Sequence, residues 1–223
     1  IYSGGDCVEN NNLITGQPIY APLGSTANKH GRVIGDHICS KETTFKGVLG
    51  TAICRVFDIN ISRSGLSEKE ARQAGFDIIT VLSPSPDKPH FLSEAKPIII
   101  KLVVDKKTRK LIGSQIVGPG DVAKRIEIAI TSMNFSSTVD DISNLDLAYA
   151  PPFSPAMDNI ITAANIAKNK LDGVSDTLTP MEVKEKIDNG DSFIFLDVRS
   201  PQEFEVMKIT DERVKLIPLG KLR

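Results

Sequence analysis

Two apolar runs, Pro97 to Asp105 and Lys110 to Val117, are joined by nothing more than Lys106-Lys107-Thr108-Arg109. A connection this short and polar predicts a β-hairpin, whose strands are antiparallel. The segment Phe76 to Ser83 precedes them, so a three-stranded antiparallel meander is expected at the centre of the chain. Gly118-Pro119-Gly120-Asp121 then stops the sheet and caps a helix with the apolar face Val122, Ile126, Ala129, Ile130 and Met133.

Helices flank this centre. Ser67-Glu68-Lys69-Glu70 has capping-box spacing and predicts a short helix ending near Gly75. Before it, Ile53, Phe57, Ile59 and Ile61 read as one partly alternating strand. Ser137 to Leu145 predicts another short helix, and a last one is expected from about Ala156 to Leu171, carrying Ile160, Ile161, Ala164 and Ala167. Between these two, Tyr149-Ala150-Pro151-Pro152-Phe153-Ser154-Pro155 cannot be regular structure, because its prolines remove donors and fix φ. The first residues predict a short strand, then Gly4-Gly5-Asp6, a polar loop through Asn10 to Asn12, and a helix. That helix has Leu23, Ala27, Ile34 and Ile38 at helical spacing, with Ser25 or Thr26 as its cap.

Asp172-Gly173-Val174-Ser175-Asp176 reads as a linker. Beyond it, Thr179-Pro180 starts a helix to about Asn189, and Phe193 to Asp197 suits a buried parallel strand. Ser200-Pro201-Gln202-Glu203 repeats the cap-and-proline pattern. The chain therefore reads as α+β, in three parts: 1–46, 47–172 and 176–223.

With 27 basic and 28 acidic side chains, no net field exists to gather nucleic acid or anionic lipid. Lys101 and Asp105 interrupt apolar stretches that would need about 20 residues to cross a bilayer. Cys7, Cys39 and Cys54 are widely spaced with no C-x-x-C pair, which argues against a disulfide framework or zinc site and fits a reducing cytoplasm. All three read as small packing residues. His30, His37 and His90 show no shared ligand spacing, so no metal site is expected. The start at Ile1 and the stop at Arg223 read as cut ends.

Gly5-Asp6 reads equally well as a turn or as a carboxylate set at a sheet's ligand-binding edge. The helix start after Pro22-Leu23-Gly24-Ser25-Thr26-Ala27-Asn28 offers free N–H groups that favour negative charge. The proline-rich run is either a rigid packing loop or a display for Tyr149, a phenol able to donate to a developing thiolate.

The runs Tyr2 to Glu9 and Ala21 to Arg32 resemble the last FAD-binding segment of the pyridine nucleotide–disulfide oxidoreductases. The nearest group is that of coenzyme A disulfide reductases, NADH oxidases and coenzyme A persulfide reductases. Residues from about Gly47 to Leu171 resemble the family's dimerisation domain, most specifically over Leu147 to Asp158. Phe195-Leu196-Asp197-Val198-Arg199 and Leu216-Ile217-Pro218-Leu219 resemble the beginning of a rhodanese domain, with Asp197 and Arg199 read as a structural ion pair. The resemblance implies the end of an FAD-binding α/β domain, then an antiparallel sheet with helices, then an incomplete α/β rhodanese-like domain.

It further implies that Gly5, Asp6, Thr26, Ala27 and Asn28 serve FAD, with NAD(P)H as co-substrate. Tyr149 would act at a homodimer partner's site, and Phe153 would touch a coenzyme A-linked or sulfur substrate. Met157 departs from the lysine of some coenzyme A disulfide reductases and shifts the expectation toward persulfide reduction or NADH oxidation. No G-x-G-x-x-G nucleotide fold, N-terminal redox cysteine or rhodanese catalytic cysteine occurs in the sequence. Alone, the chain would be a non-catalytic dimerisation module.

Overall fold

A computed structural model describes residues 1–222, which separate into two units, Ile1–Asp176 and a second from Thr177 onward. The first unit opens on a 3-10 turn, Gly5–Cys7. The strand expected before it does not form: residues 1–3 have no strand beside them among the described residues, and a strand needs a ladder partner. A two-residue ladder, β1 (Asn10–Asn11) with β2 (Pro18–Ile19), leads to α1 (Gly24–Ile38). The N-cap of α1 is Leu23, which offers no acceptor, so Ser25 and Thr26 lie inside the first turn rather than capping it.

The single strand expected around Ile53 to Ile61 is two strands. β3 (Ala52–Val56) and β4 (Ile59–Gly65) form a hairpin closed at Phe57 and Asp58, with Phe57 at φ 51°. A β-hairpin turn of this length favours positive φ, normally from Asn or Gly, and phenylalanine gives no such signal. The capping box appears as expected in α2 (Glu68–Gln73), where Ser67 and Glu70 satisfy each other's backbone N–H. β5 (Ile78–Pro86), β6 (Pro97–Asp105) and β7 (Leu111–Gly118) are the antiparallel meander, and β4 adds to β7. The sheet order is β3-β4-β7-β6-β5, antiparallel throughout.

α3 (Val122–Asn134), α4 (Val139–Ser143) and α5 (Asn159–Leu171) complete the unit, with Asp121, Thr138 and Asp158 as their caps. Ile98, Ile100, Leu102 and Val104 of β6 alternate onto one sheet face and are wholly buried against Ile126, Ala129, Ile160 and Ala164. Each such isoleucine or leucine contributes about 1.5–3 kcal/mol on burial. Alanines 163, 164 and 167 give α5 its close approach. On the other face α2 covers only one end, and Ile61, Leu82, Ile99 and Val117 remain exposed.

Gly113 lies opposite Gly65 in the β4–β7 ladder, where a Cβ on Gly113 would sit 1.9 Å from the carbonyl oxygen of Leu66. At the β6–β7 turn, Arg109 binds Asp140 at 2.6 Å and Asp172 at 2.7 Å, tying the turn to α4 and the end of α5.

The second unit holds α6 (Pro180–Asp188), β8 (Phe195–Asp197), α7 (Pro201–Val206) and β9 (Val214–Leu216). Thr179 caps α6 ahead of Pro180 as expected, and Glu182 completes a capping box there that was not expected; Ser200 and Glu203 form the expected box ahead of α7. β8 pairs in parallel with β9, as expected, but it is not buried: Ile194 and Leu196 are about half exposed. A parallel strand is buried by neighbours on both edges and helices on both faces, and only one strand flanks β8 among the described residues. Asp197 and Arg199 form an ion pair at 2.6 Å, and Arg199 also donates to the carbonyl of Met207.

Cys7, Cys39 and Cys54 are all exposed, so none is the buried filler expected. Among the described residues no helix is long and apolar enough to cross a membrane.

Candidate functional site

The first group of candidate residues gathers where the opening turn meets α1. Gly5 takes φ 81°, and its N–H donates to Nδ1 of His30 at 3.0 Å. A Cβ on Gly4 would lie 3.0 Å from Cβ of His30, so the turn runs directly over the helix. His30 is itself buried and packs edge-on against Phe45. Tyr2 reaches the next turns of α1, its hydroxyl 2.6 Å from Nδ1 of His37. Together these contacts hold the opening turn along the helix.

This arrangement places Gly5 beside Ala27, whose Cβ lies 3.8 Å from where a Cβ on Gly5 would sit. Asp6 is exposed, and its carboxylate has no partner among the described residues. No side chain caps the start of α1; the first intrahelical bond runs from the N–H of Ala27 to the carbonyl of Leu23. The N–H groups of Gly24, Ser25 and Thr26 precede that bond and are available to a ligand. Thr26 itself is buried in the helix's inner face, and Asn28 donates to the carbonyl of Gly24. A free carboxylate, a glycine approach and an uncapped helix start thus lie on one short stretch of surface, and free N–H groups at a helix start favour negative charge.

The second group is on the proline-rich turn between α4 and α5. Ala150 accepts the N–H groups of Phe153 and Ser154, which folds the run back on itself. Ser154 is buried and donates toward the carbonyl of Ala148. Three large side chains face outward as a result: Tyr149 is 53% exposed, Phe153 68% and Met157 56%. Within its own chain Tyr149 is a displayed phenol rather than a packing residue.

The foot of this turn is tightly held. Asp158 caps α5 by accepting the N–H of Ile160 at 3.1 Å, and Asn159 donates to Ser85 and to the carbonyl of Pro86. Arg125 of α3, wholly buried, lies 3.2 Å from the Asp158 carboxylate and donates to the carbonyls of Asp87 and Asp121. Lys124 reaches the same carboxylate at 3.2 Å. Asp87, also buried, accepts the N–H groups of Lys96 and Asp121. Sequence reasoning misses Arg125, because a charged residue beside an apolar helix stripe ordinarily belongs to the solvated edge. It weighs His30 only as a metal ligand, not as an acceptor for Gly5.

Residues 51–161 match the pyridine nucleotide-disulphide oxidoreductase dimerisation domain. The NAD(P)H coenzyme A polysulfide/persulfide reductase of Pyrococcus horikoshii is 39% identical over 168 residues, 75% of this chain and 38% of that protein. The NAD-dependent persulfide reductase of A. fulgidus is 46% identical and superimposes with a TM-score of 0.91 over 100% of this chain and 39% of that one. The reduced CoADR-RHD of Bacillus anthracis is 32% identical, with a TM-score of 0.90 over 100% of this chain and 40% of that one. The chain thus spans well under half the length of the relatives it matches.

Proposed function

Over residues 51–161 this chain belongs to the dimerisation domain of the pyridine nucleotide-disulphide oxidoreductases, among coenzyme A disulfide reductases, persulfide reductases and NADH oxidases, and on that premise we propose that it is the dimerising part of a sulfur reductase. The family is FAD-dependent and uses NAD(P)H, and its dimerisation domain marks a family of homodimers. In our reading the whole enzyme reduces a disulfide, persulfide or polysulfide linked to coenzyme A, in the cytoplasm. Residues 1–46 end the FAD-binding domain, 47–172 form the dimerisation domain, and 176–223 begin a rhodanese-like domain that would hand on sulfane sulfur.

The residues at the start of α1 fit the flavin. Asp6 would accept from the hydroxyls of its ribityl chain, and the N–H groups of Gly24 to Thr26 would face the electron-rich edge of the ring. Gly5 and Ala27 leave the backbone room to approach, and Asn28, bonded within the helix, steadies its first turn. When bound, FAD carries electrons from the nicotinamide to the sulfur site.

The display of Tyr149 on a turn anchored at its foot carries this reading. A phenol held there can enter a neighbouring protomer's sulfur site and donate a hydrogen bond to a thiolate as it forms, without adding charge. Phe153 beside it offers an apolar surface to the substrate's chain. Met157 cannot bind phosphate by charge, which favours persulfide reduction over simple coenzyme A disulfide reduction.

Tyr149→Phe removes only that hydroxyl. It should lower kcat for reduction of a coenzyme A persulfide by about 10²-fold, the usual loss of one donor to a developing anion, with flavin content unchanged. Wild-type turnover in this variant would contradict the role. The rival reading, an NADH oxidase, predicts that oxygen consumption exceeds sulfide release in the same assay. For the chain on its own, a colourless purified protein would place it as a dimerisation module without flavin.

A further inference from the structure

Arg125 is the bulkiest fully buried side chain among the described residues, and it is charged. It sits in a node where three separate segments converge: the end of β5 at Ser85 to Asp87, the start of α3 at Asp121 to Arg125, and the start of α5 at Asp158 and Asn159. Taking a guanidinium and a carboxylate out of water is costly, and an apolar pair of similar volume often holds a fold as well. The apolar faces of α3 and α5 already dock both helices on the sheet through Ile126, Ala129, Ile160 and Ala164. Holding the helices on the sheet is therefore already accounted for without the node.

What the node adds is position at one place. Asp158 directly follows Met157, the last displayed residue of the proline-rich turn. The turn's own hydrogen bonds, from Phe153 and Ser154 to Ala150 and from Ser154 to Ala148, fix its shape but not its direction from the sheet. Leu147 packs against the core at the turn's first foot, and at its second foot the direction passes through Asp158 and Asn159, which are tied to Arg125, Lys124, Ser85 and Pro86. We infer that Arg125, acting through Asp158, is a positioning residue that sets where Tyr149 reaches. The inference rests on the reading that Tyr149 works at a sulfur site.

Three variants test it in the flavin-loaded dimer. Arg125→Met keeps the bulk and removes the charge. Asp158→Asn removes the nearer and buried one of Arg125's two partner charges, the other being Asp121 at 3.4 Å, and asparagine still caps a helix. Arg125→Lys keeps the charge and loses the planar fork. Hydrogen exchange of the Phe153 and Ser154 amides, the two that the turn protects, should accelerate tenfold or more in the first two, with the amides of α3 and of α5 beyond Ile160 unchanged. Over the same variants kcat for a coenzyme A persulfide should fall at least tenfold while KM changes less than threefold, and Arg125→Lys should recover part of the loss. Unchanged exchange in the turn, or acceleration spread equally through α3 and α5, would overturn the inference. A turn freed by Arg125→Met alongside full activity in Tyr149→Phe would remove Tyr149 from the chemistry and leave the positioning intact.

Discussion

The N–H of Gly5 donates to Nδ1 of His30 across 25 residues of sequence, and this bond fixes the opening turn on the middle of α1. It requires His30 to be neutral at Nδ1, with the ring's proton on the other nitrogen. His30→Phe keeps an aromatic ring against Phe45 but removes the acceptor. A part-buried N–H left unmatched costs about 1–3 kcal/mol, read in urea unfolding. If the turn serves the flavin, the variant should also lose FAD on dilution faster than the wild type.

Gly113 gives a steric prediction. With its Cβ position 1.9 Å from the carbonyl oxygen of Leu66, Gly113→Ala must push β7 away from the segment after β4. Overpacking of this kind costs about 1–3 kcal/mol, and backbone collisions exceed that range. Gly31 provides the control, since nothing lies within 4 Å of its Cβ position in α1. Alanine there should stabilise the chain by about 0.5–1 kcal/mol. Equal unfolding midpoints for the two variants would contradict the packing described for the β4–β7 ladder.

Asp140 gives an acid-stability prediction. The paired hydrogen bonds from Arg109 hold its carboxyl below the usual aspartate range, against a smaller opposing effect of burial. A depressed folded pKa contributes stability above the unfolded value of about 3.9, and that stability is lost as pH falls through the folded value. Asp140→Asn should therefore be less stable than wild type at neutral pH, and the gap should close below about pH 4. Because both partners are substantially exposed, the difference should stay under about 1 kcal/mol. A gap that persists at low pH would mean that packing, not charge, ties Arg109 to α4.

Much of the central fold is legible in the sequence alone. The hairpin between β6 and β7 follows from a short polar connection, the starts of α2 and α7 from capping boxes written as serine ahead of glutamate, and the start of α6 from a threonine cap followed by proline. The β3–β4 hairpin is hidden because Phe57 is an uncommon residue for a left-handed turn and merges into the apolar pattern around it. Apolar character alone over-reads the burial of β8: an apolar strand is buried by its neighbours, and one flanking strand does not cover Ile194 and Leu196. At the site, the motifs around Asp6 and Tyr149 mark both residues. Arg125 and His30 carry no such mark, since what distinguishes them is the backbone carbonyls and N–H groups that tertiary structure brings to their side chains.

Service of Tyr149 at the other protomer's site is the central claim, and mixed dimers test it directly. One protomer carries Tyr149→Phe and the other carries Asp6→Arg, which introduces a cation where the flavin's hydroxyls would bind. If the phenol acts across a two-fold interface, the mixed dimer regains one complete site and about half of the wild-type persulfide reductase rate, while each parent homodimer stays low. A mixed dimer no faster than its parents would place Tyr149 at its own protomer's site and contradict the claim.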